Sequence, residues 1–594
     1  MQRIQRPGNR WTAYQYDALG NIIRSDYYDG AWETFSYDKN GALQETENEH
    51  VNVKLERDPS GQVIKEWRND HWIASSYDEL GNRSQITSSL GAKIDVARNE
   101  LGNVLQMTAS RSEQAQWTAS IQYNELGQEI ERILPGDVIS KWQYDITGRP
   151  THHRVSSQSR DTRRHAYNWD VNHQLRSMVN ELTGVKVTYG YDEFSNLVWA
   201  NQDSRQFDFL YRSVDDVGNL YEAKDKKDRV YGAGSRLLET KDAKFSYDEE
   251  GNLVEKIEHN GDTWKYEYYG NGMLSKVIRP DLTEVTFKYD TLGRRIEKCS
   301  ESKATHFVWD GNTILHEYLS QDNSVENASQ TDDLDSLVTW VFNDGFVPSA
   351  KITNKGSYSI ISDYLGTPVE AYDEQGHKVW SAELDVYGRV KEFTGEKDFI
   401  PFRYQGQYED VEIGLYYNRF RYYDPVQGNY TQVDPIGLAG GNPTLYGYVS
   451  DPNTWLDPFG LSCGKTNRGT SNRSYDSTKP LSPSNYPNPD PAMSVPPVRY
   501  EPKTIEEVIR MRRGDGPTTK KTHGDRNIEA HHRNQIPISE GGVFDELEEY
   551  THRRGGNHTR HRQKSKLTPS QRRKEISDHY KKRGNEYILP GEGI

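Results

Sequence analysis

The chain has 594 residues, too many for one ordinary hydrophobic core, so at least two structural units are expected. Its apolar fraction of 33% is low and its charged fraction of 27% high, yet 39 Tyr, 13 Trp and 15 Phe exclude a disordered polymer, because each ring buries its body while a polar tip reaches water. Net charge is −15, the only cysteines are Cys299 and Cys463, and no run of about 18 apolar residues occurs, which excludes a disulfide scaffold and a helical membrane span. The basic residues between Met1 and Trp11 have no hydrophobic stretch behind them and do not read as a secretory signal. A soluble protein made in a reducing compartment is expected. Charge is also divided at Leu461: residues 462–594 carry 25 Lys+Arg against 17 Asp+Glu, a balance of +8, which leaves −23 for residues 1–461. An acidic body with a basic tail is the arrangement expected when the tail alone meets a polyanion.

From the N-terminus the body is a repeat array. Tyr-Asp-x-x-Gly-Asn/Arg units begin at Tyr16, Tyr37, Tyr77, Tyr144, Tyr247 and Tyr289, and degenerate copies begin at Arg57, Arg98, Tyr123, Trp169, Tyr191, Tyr268 and Trp309. Most starts lie 20 to 25 residues apart, and the interval from Tyr191 to Tyr247 has lost the signature. Each unit reads as strand, turn and strand. Trp264, Tyr266 and Tyr268 alternate with Lys265 and Glu267 at the period of a half-buried strand. Asp and Gly then supply turn chemistry, and a second strand such as Leu253–Ile257 follows. One hairpin cannot bury its own apolar face, so the units must stack into a long spiralling sheet.

The segment Arg403–Leu461 is different in kind. It runs through Asn418-Arg419-Phe420-Arg421-Tyr422-Tyr423-Asp424-Pro425 and closes with Asp434-Pro435-Ile436-Gly437-Leu438 and Asp457-Pro458-Phe459-Gly460-Leu461. Two roles compete for Asp434 and Asp457. Asp-Pro followed by Gly is a good turn. Alternatively the loop between them brings two carboxylates together to share a proton, one activating water and the other protonating the leaving amine. Asp451, in Asp451-Pro452, is a third candidate carboxylate, and Arg421 could steady a carboxylate, though it reads more readily as a solvated strand residue.

The Tyr-Asp units, with Ser362-Asp363-Tyr364-Leu365-Gly366-Thr367-Pro368, Val379-Trp380 and the Arg403–Leu461 segment, closely resemble the YD-repeat and Rhs core of bacterial polymorphic toxins over roughly Trp11 to Leu461. The resemblance implies a mainly β fold in which the repeats wind into a shell, or cocoon, around the C-terminal part of the same chain. It also implies self-cleavage by Asp434 and Asp457 at the Leu461–Ser462 bond. Met1 falls almost directly into the first repeat, so a natural short form, or delivery by a separate protein, is expected.

Beyond Leu461 the chain is first a Pro-, Ser- and Asn-rich leader, with Pro480, Pro483, Pro487, Pro489, Pro491, Pro496 and Pro497. Capping boxes at Thr504–Glu507 and Thr568–Gln571 each predict a helix, the second stopping at Gly584. Between them lie Glu529-Ala530-His531-His532-Arg533, Pro537-Ile538-Ser539-Glu540-Gly541-Gly542 and Asn557-His558-Thr559-Arg560-His561-Arg562. On a strand His531 and His532 point to opposite sides, and on a helix Asn557 and His561 share a face, so strand and helix together could clamp one divalent ion. Between Thr551 and Arg583 there are 12 Lys+Arg and two acids, a density that predicts salt-dependent attraction to nucleic acid. His523 and His552 read as exposed loop residues.

This order resembles the ββα-metal (HNH) endonucleases, the nuclease domain of DNase colicins in particular. The resemblance implies a small α+β domain in which His532 is the general base, His531 and His561 are metal ligands with Asn557 or His558 as the third, and Arg533, Arg560 and Arg562 grip phosphates. Glu546 stands where that family places its central Asn, and Gly555-Gly556 extends the approach to the helix. The expected organisation is a repeat shell over 1–402, a core-associated autoproteolysis segment over 403–461, a leader over 462–502 and a nuclease toxin over 503–594. The expected function is an antibacterial Rhs effector storing a metal-dependent DNase, with Mg²⁺ or Zn²⁺ as cofactor. Expected partners are DNA, a cognate immunity protein and a type VI secretion delivery protein, with pairing of two shells left open. The producer's cytoplasm is the expected location before secretion, and the target cell after delivery. The alternative is a YD-repeat binding or adhesion protein with a non-catalytic tail.

Overall fold

The computed structural model describes residues 2–111, 114–203, 207–301, 303–321, 332–343, 345–461, 464–465, 511, 518–521, 524–532, 544–548, 574 and 576–581. It packs as two units, Met1–Pro480 and Leu481–Ile594, so the division falls inside the expected leader.

The repeat is built from one turn used many times. At Tyr37-Asp38-Lys39-Asn40-Gly41-Ala42 the Asp38 N–H donates to Ala42 O at 2.8 Å and the Gly41 N–H to Asp38 O at 3.0 Å. Asp38 Oδ1 accepts the N–H groups of Asn40 and Ala42, both at 2.9 Å. Gly41 takes φ +79°, the left-handed conformation that closes this hairpin at no side-chain cost. Pairing slips by one residue at Ser36/Tyr37, which turns the tyrosine back along the sheet. Its hydroxyl donates to Ile22 O at 2.8 Å, the residue just past the previous turn.

That backward bond recurs through the array. Tyr77 reaches Val63 O, Tyr268 reaches Leu253 O and Tyr289 reaches Leu274 O, each at 2.8 Å. Three of the degenerate starts keep the donor and change its chemistry: Trp169 Nε1 donates to Pro150 O and Trp309 Nε1 to Arg295 O, both at 2.7 Å, and the Arg57 guanidinium donates to Leu43 O. Each such bond contributes about 1 kcal/mol net. Tyr268→Phe, which removes only the hydroxyl, is therefore expected to lower unfolding free energy by about 1 kcal/mol, read as a shift in the urea midpoint.

Consecutive antiparallel pairing joins the strands from Gln2–Gln5 to Phe207–Tyr211 into one 20-stranded meander, and those from Arg229–Tyr231 to Val390–Thr394 into a second of 16 strands. The single long sheet expected from the repeats is thus two sheets. The break lies in the interval expected to have lost the signature, and there the structure corrects that expectation. Asp215–Asn219 forms the same turn, with Asp215 N–H to Asn219 O at 3.1 Å and Gly218 N–H to Asp215 O at 3.0 Å. Val214 stands where the reaching aromatic would be, and a two-stranded hairpin, Ser213–Val214 with Leu220–Tyr221, replaces the long strands. Losing the backward donor coincides with losing the sheet.

The meanders pack on each other and on the Arg403–Leu461 segment. Ile94, Met107 and Trp117 of the first share a core with Val341, Ile352 and Tyr372 of the second. Leu415, Tyr417 and Tyr422 join Phe287, Trp309 and Trp340 in another. Within the segment Tyr408–Asp410, Leu415–Asn418, Arg421–Asp424 and Asn429–Tyr430 form a four-stranded antiparallel sheet. Leu415–Asn418 and Arg421–Asp424 are buried along their whole length, so both faces of this sheet are covered.

The segment is seated by reading the repeat turns. Tyr446 donates to Gly251 O at 2.7 Å, Gln432 to Gly272 O at 2.9 Å, Tyr417 to Gly293 O at 3.2 Å and Tyr416 to Gly388 O at 2.8 Å. Tip residues show the same coverage: Leu80 of the first meander is 69% exposed, whereas Leu292, at the same turn position of the second, is 6% exposed. Arg295 bonds Asp410 at 2.5 Å, and its guanidinium lies 4.5 to 5.6 Å from the rings of Phe287, Phe307, Tyr408 and Tyr417. This network anchors the segment to the second meander.

In the second unit, strands Thr518–Lys521, Gly524–His532 and Phe544–Glu548 pair antiparallel. Residues 576–581 are helical, and Ile576 and Tyr580 pack with Met511. Apart from Gly464–Lys465, the leader lies outside the described residues, as do both capping boxes. Among the described residues no helix is long and apolar enough to cross a membrane.

Candidate active site

The seated segment brings Asp434 and Asp457 together around one guanidinium. Arg421 Nη2 lies 3.0 Å from Asp434 Oδ2 and 3.5 Å from Asp457 Oδ2. Its Nε donates to Gly460 O at 2.5 Å and its Nη1 to Leu445 O at 3.1 Å. Arg421 is 2% exposed, so of its two readings the solvated strand residue is corrected and the partner of a carboxylate stands: its strand belongs to a sheet covered on both faces, and its charge is offset by the carboxylates.

The two carboxyls have different surroundings. Asp457 Oδ1 accepts the Leu461 N–H at 2.9 Å and Oδ2 accepts the Tyr430 hydroxyl at 2.9 Å. Asp434 Oδ1 accepts the Ile436 N–H at 2.9 Å. A side chain on Gly440 would sit 2.2 Å from Leu461 O and 2.9 Å from Asp434 Oδ2, so the bare glycine is what lets the Asp434 carboxyl and the Leu461 carbonyl approach the same point. Burial lifts the Asp434 carboxyl to about 6, the Asp457 charge adds to the rise, and Arg421 with the Ile436 N–H opposes it.

Leu461 is fixed on both sides. Gly460, at φ +66°, lets the chain pass Asn418 O, which an added Cβ would meet at 2.6 Å. The Leu461 side chain is 5% exposed in the aromatic core, whereas Leu438, its counterpart in the first motif copy, is 64% exposed beside the 3₁₀ turn Gly437–Gly440. The two copies thus differ in their surroundings: the first ends at the surface, and the second carries its carboxyl and its terminal leucine into the core. Asp451 has a local task, accepting Asn453 N–H at 3.0 Å and the Thr454 hydroxyl at 2.5 Å in a turn. Ser462 lies outside the described residues, and Gly464–Lys465 pair with Trp455–Leu456.

Sequence reasoning missed Tyr430 and Asn418. Asn418 Nδ2 donates to the Tyr430 hydroxyl at 2.7 Å and to Asp457 O at 2.9 Å. The available signal was one amide ending the aromatic run Leu415–Tyr417, where a buried polar group must find partners.

Of the residues expected to form a nuclease site, only the backbone of His531, His532 and Glu546 is described. His531 and His532 end the strand Gly524–His532, with His531 opposite Asp545 and His532 opposite Phe544, and Glu546 pairs with Ala530. Arg533, Asn557, His558, Arg560, His561 and Arg562 lie outside the described residues, as do His523 and His552. Among the described residues no group of three or more His, Cys, Asp or Glu side chains is placed to hold a metal.

Comparison with known proteins adds three likenesses and a family. Double-stranded DNA deaminase toxin A of Burkholderia cenocepacia (strain H111) is 28% identical over 492 residues, covering 77% of this chain and 33% of that protein. A protein named probable deoxyribonuclease RhsA, of Dickeya dadantii (strain 3937), is 26% identical over 463 residues, covering 69% of this chain and 30% of its own length. The chain spans about a third of the length of these curated relatives. Among solved structures, the crystal structure of TcdB2-TccC3-TEV matches in fold with TM-score 0.60 and 18% identity over 76% of this chain and 27% of that one. The family profile for the Teneurin YD-shell matches residues 136–438, which include the second meander and Asp434. With repeat turns, closing segment and profile in agreement over more than half of its length, the chain belongs to the Teneurin YD-shell family.

Proposed function

We propose that this chain is part of an Rhs-type antibacterial effector that cuts itself after Leu461 and stores a C-terminal metal-dependent nuclease until delivery. The observation that carries the first half is the shared guanidinium: Arg421 binds Asp434, Asp457 and Gly460 O at once, so the two carboxyls and the residue leading into Leu461 are held by one group. Asp457 has donors on both oxygens, which favours its charged form and makes it the base. Asp434, lifted to about 6 and close to the Leu461 carbonyl oxygen, is the acid. Water adds to the Leu461 carbonyl carbon, giving its proton to Asp457 while Asp434 protonates the carbonyl oxygen. Collapse of the tetrahedral diol then breaks the C–N bond as Asp457 passes its proton to the Ser462 nitrogen and one diol hydroxyl returns a proton to Asp434, leaving a Leu461 carboxyl and a Ser462 amine. Pairing of Gly464–Lys465 with Trp455–Leu456 supports retention of the new N-terminal end after the cut.

An acid poised at about 6 gives a pH dependence with a definite sign. Asp434 holds its proton below that value and loses it above, so self-cleavage of pulse-labelled chain is expected to slow as pH rises from 6 to 8, by up to tenfold per pH unit. A rate that keeps rising across that range would remove Asp434 from the acid role. For folding the sign is the same: a carboxyl raised in the folded state contributes most at low pH, and that contribution is lost as pH rises through about 6.

The nuclease half rests on the His531-His532 strand end, the basic tail and the DNA-directed names of two relatives. His531, Asn557, His558 and His561 offer imidazole and amide donors, a set suited to a divalent transition metal or Zn²⁺ and usable by Mg²⁺ with water completing the shell. When bound, the ion offsets charge on the phosphate and the leaving oxygen. His532 takes the proton of the attacking water, and Arg533, Arg560 and Arg562 hold phosphate oxygens. A cognate immunity protein protects the producer's cytoplasm, and a secretion-system protein carries the effector into the target cell. Intact mass of the purified protein tests the self-cutting half: two species matching residues 1–461 and 462–594 are expected, and a single full-length mass would end it.

A further inference from the structure

Tyr430 touches both Asp457 and Arg421 without itself being a carboxyl, a cation or part of the cut segment. Its hydroxyl donates to Asp457 Oδ2 at 2.9 Å, and its ring lies 3.7 Å beneath the Arg421 guanidinium. It is held from its own side by the backbone bond to Tyr446 O at 2.8 Å and by ring contacts with Tyr423 and Tyr448.

The direction of its hydroxyl proton follows from its neighbour. Asp457 O is a backbone carbonyl and only accepts, so the Asn418 amide must present its nitrogen to it. The same nitrogen lies 2.7 Å from the Tyr430 oxygen and donates to it. The single hydroxyl proton is then left for Asp457 Oδ2. Burial, reinforced by the Asp457 charge, keeps that hydroxyl protonated far above the ordinary tyrosine range. The chain Asn418 to Tyr430 to Asp457 is thus oriented one way, whereas Asp434 is held by Arg421 and the Ile436 N–H.

We infer that Tyr430 is the positioning residue that makes the two carboxyls unequal, its hydroxyl holding Asp457 as the proton acceptor while its ring carries the guanidinium that both share. The inference rests on the self-cleavage reading and deepens it. A buried tyrosine that merely filled space would need only some partner for its hydroxyl. Here the ring and the hydroxyl serve two different catalytic groups, and a second side chain sets the proton's direction. Besides Tyr430, the charged and titratable groups facing Asp457 are Arg421, Asp434 and Tyr448, and substitution of Tyr430 by Phe leaves all three in place.

The test is a pH profile of self-cleavage, followed in pulse-labelled full-length chain on denaturing gels. Tyr430→Phe keeps the ring and removes the hydroxyl. It is expected to cut about 10- to 100-fold more slowly at pH 6, with the low-pH limb displaced to higher pH, because Asp457 has lost a donor to its charged form. Asn418→Ala, which leaves the tyrosine but frees its proton, is expected to move the same limb in the same direction by less. Should Tyr430→Phe fail to give the circular dichroism of the parent, Asn418→Ala decides. Unchanged rate and profile in whichever variant folds overturns the inference. Continued cutting by both Asp457→Asn and Asp434→Asn, run in parallel, instead overturns the self-cleavage reading, so the two failures are distinguishable.

Discussion

Asp457→Asn is expected to leave one full-length band on a denaturing gel where the parent gives two. Asparagine is the same size, its oxygen can still accept the Leu461 N–H, and Arg421 keeps Asp434 as a partner, so the fold has no reason to change. What the amide cannot do is take a proton from water. Removing a general base of this kind slows a reaction on the order of 10²- to 10⁴-fold, enough to turn a cut completed during preparation into one not seen. Asp434→Asn is expected to give the same gel, for the complementary reason that it cannot deliver a proton to the Leu461 carbonyl oxygen. Asp451→Asn is the control: its oxygens serve Asn453 and Thr454, so two bands should persist. Two bands from the Asp457 and Asp434 variants alike would mean that the bond breaks by other chemistry.

How much of this was legible beforehand depends on how local the physics is. The Tyr-Asp turn is local: a carboxylate two and four residues from the N–H groups it accepts, and a glycine at positive φ, can be read from six letters. The backward tyrosine bond is nearly so, since the period of the array sets its reach. The break near Val214 was misread because the turn and the reaching aromatic were treated as one signature, and only the second had gone. Arg421 was misjudged for the opposite reason. Alternation in a single strand says which residues share a face, and only the tertiary neighbours say whether the other face meets water. The two Asp-Pro-x-Gly-Leu copies show the limit most plainly, because equal letters at Leu438 and Leu461 end at the surface and in the core respectively. Pairing of Asp434 with Asp457 was expected from family resemblance, and the residues that make them unequal, Tyr430 and Asn418, come from other strands of the small sheet.

The largest effect expected in the second unit is on His532. In a plasmid-nicking assay with the isolated segment 462–594, DNA is expected to be cut in the presence of a divalent ion and left intact by excess chelator. His532→Ala is expected to cut on the order of 10²- to 10⁴-fold more slowly, the span usual for loss of a general base. His531→Ala is expected to fail differently: if His531 is a ligand, weaker metal binding shows as activity that returns when the ion concentration is raised. The distinction matters because the two histidines are adjacent at the end of one strand and are assigned different tasks, one on the metal and one on the attacking water. Salt supplies an independent check. The segment between Thr551 and Arg583, with 12 Lys+Arg and two acids, should bind DNA less tightly as salt rises, with a slope of logarithm against logarithm of several units. Binding with that slope but no cutting under Mg²⁺, Zn²⁺ or Mn²⁺ would favour a YD-repeat binding protein with a basic, non-catalytic tail. Cutting that survives His532→Ala unchanged would leave the nuclease and remove its proposed base.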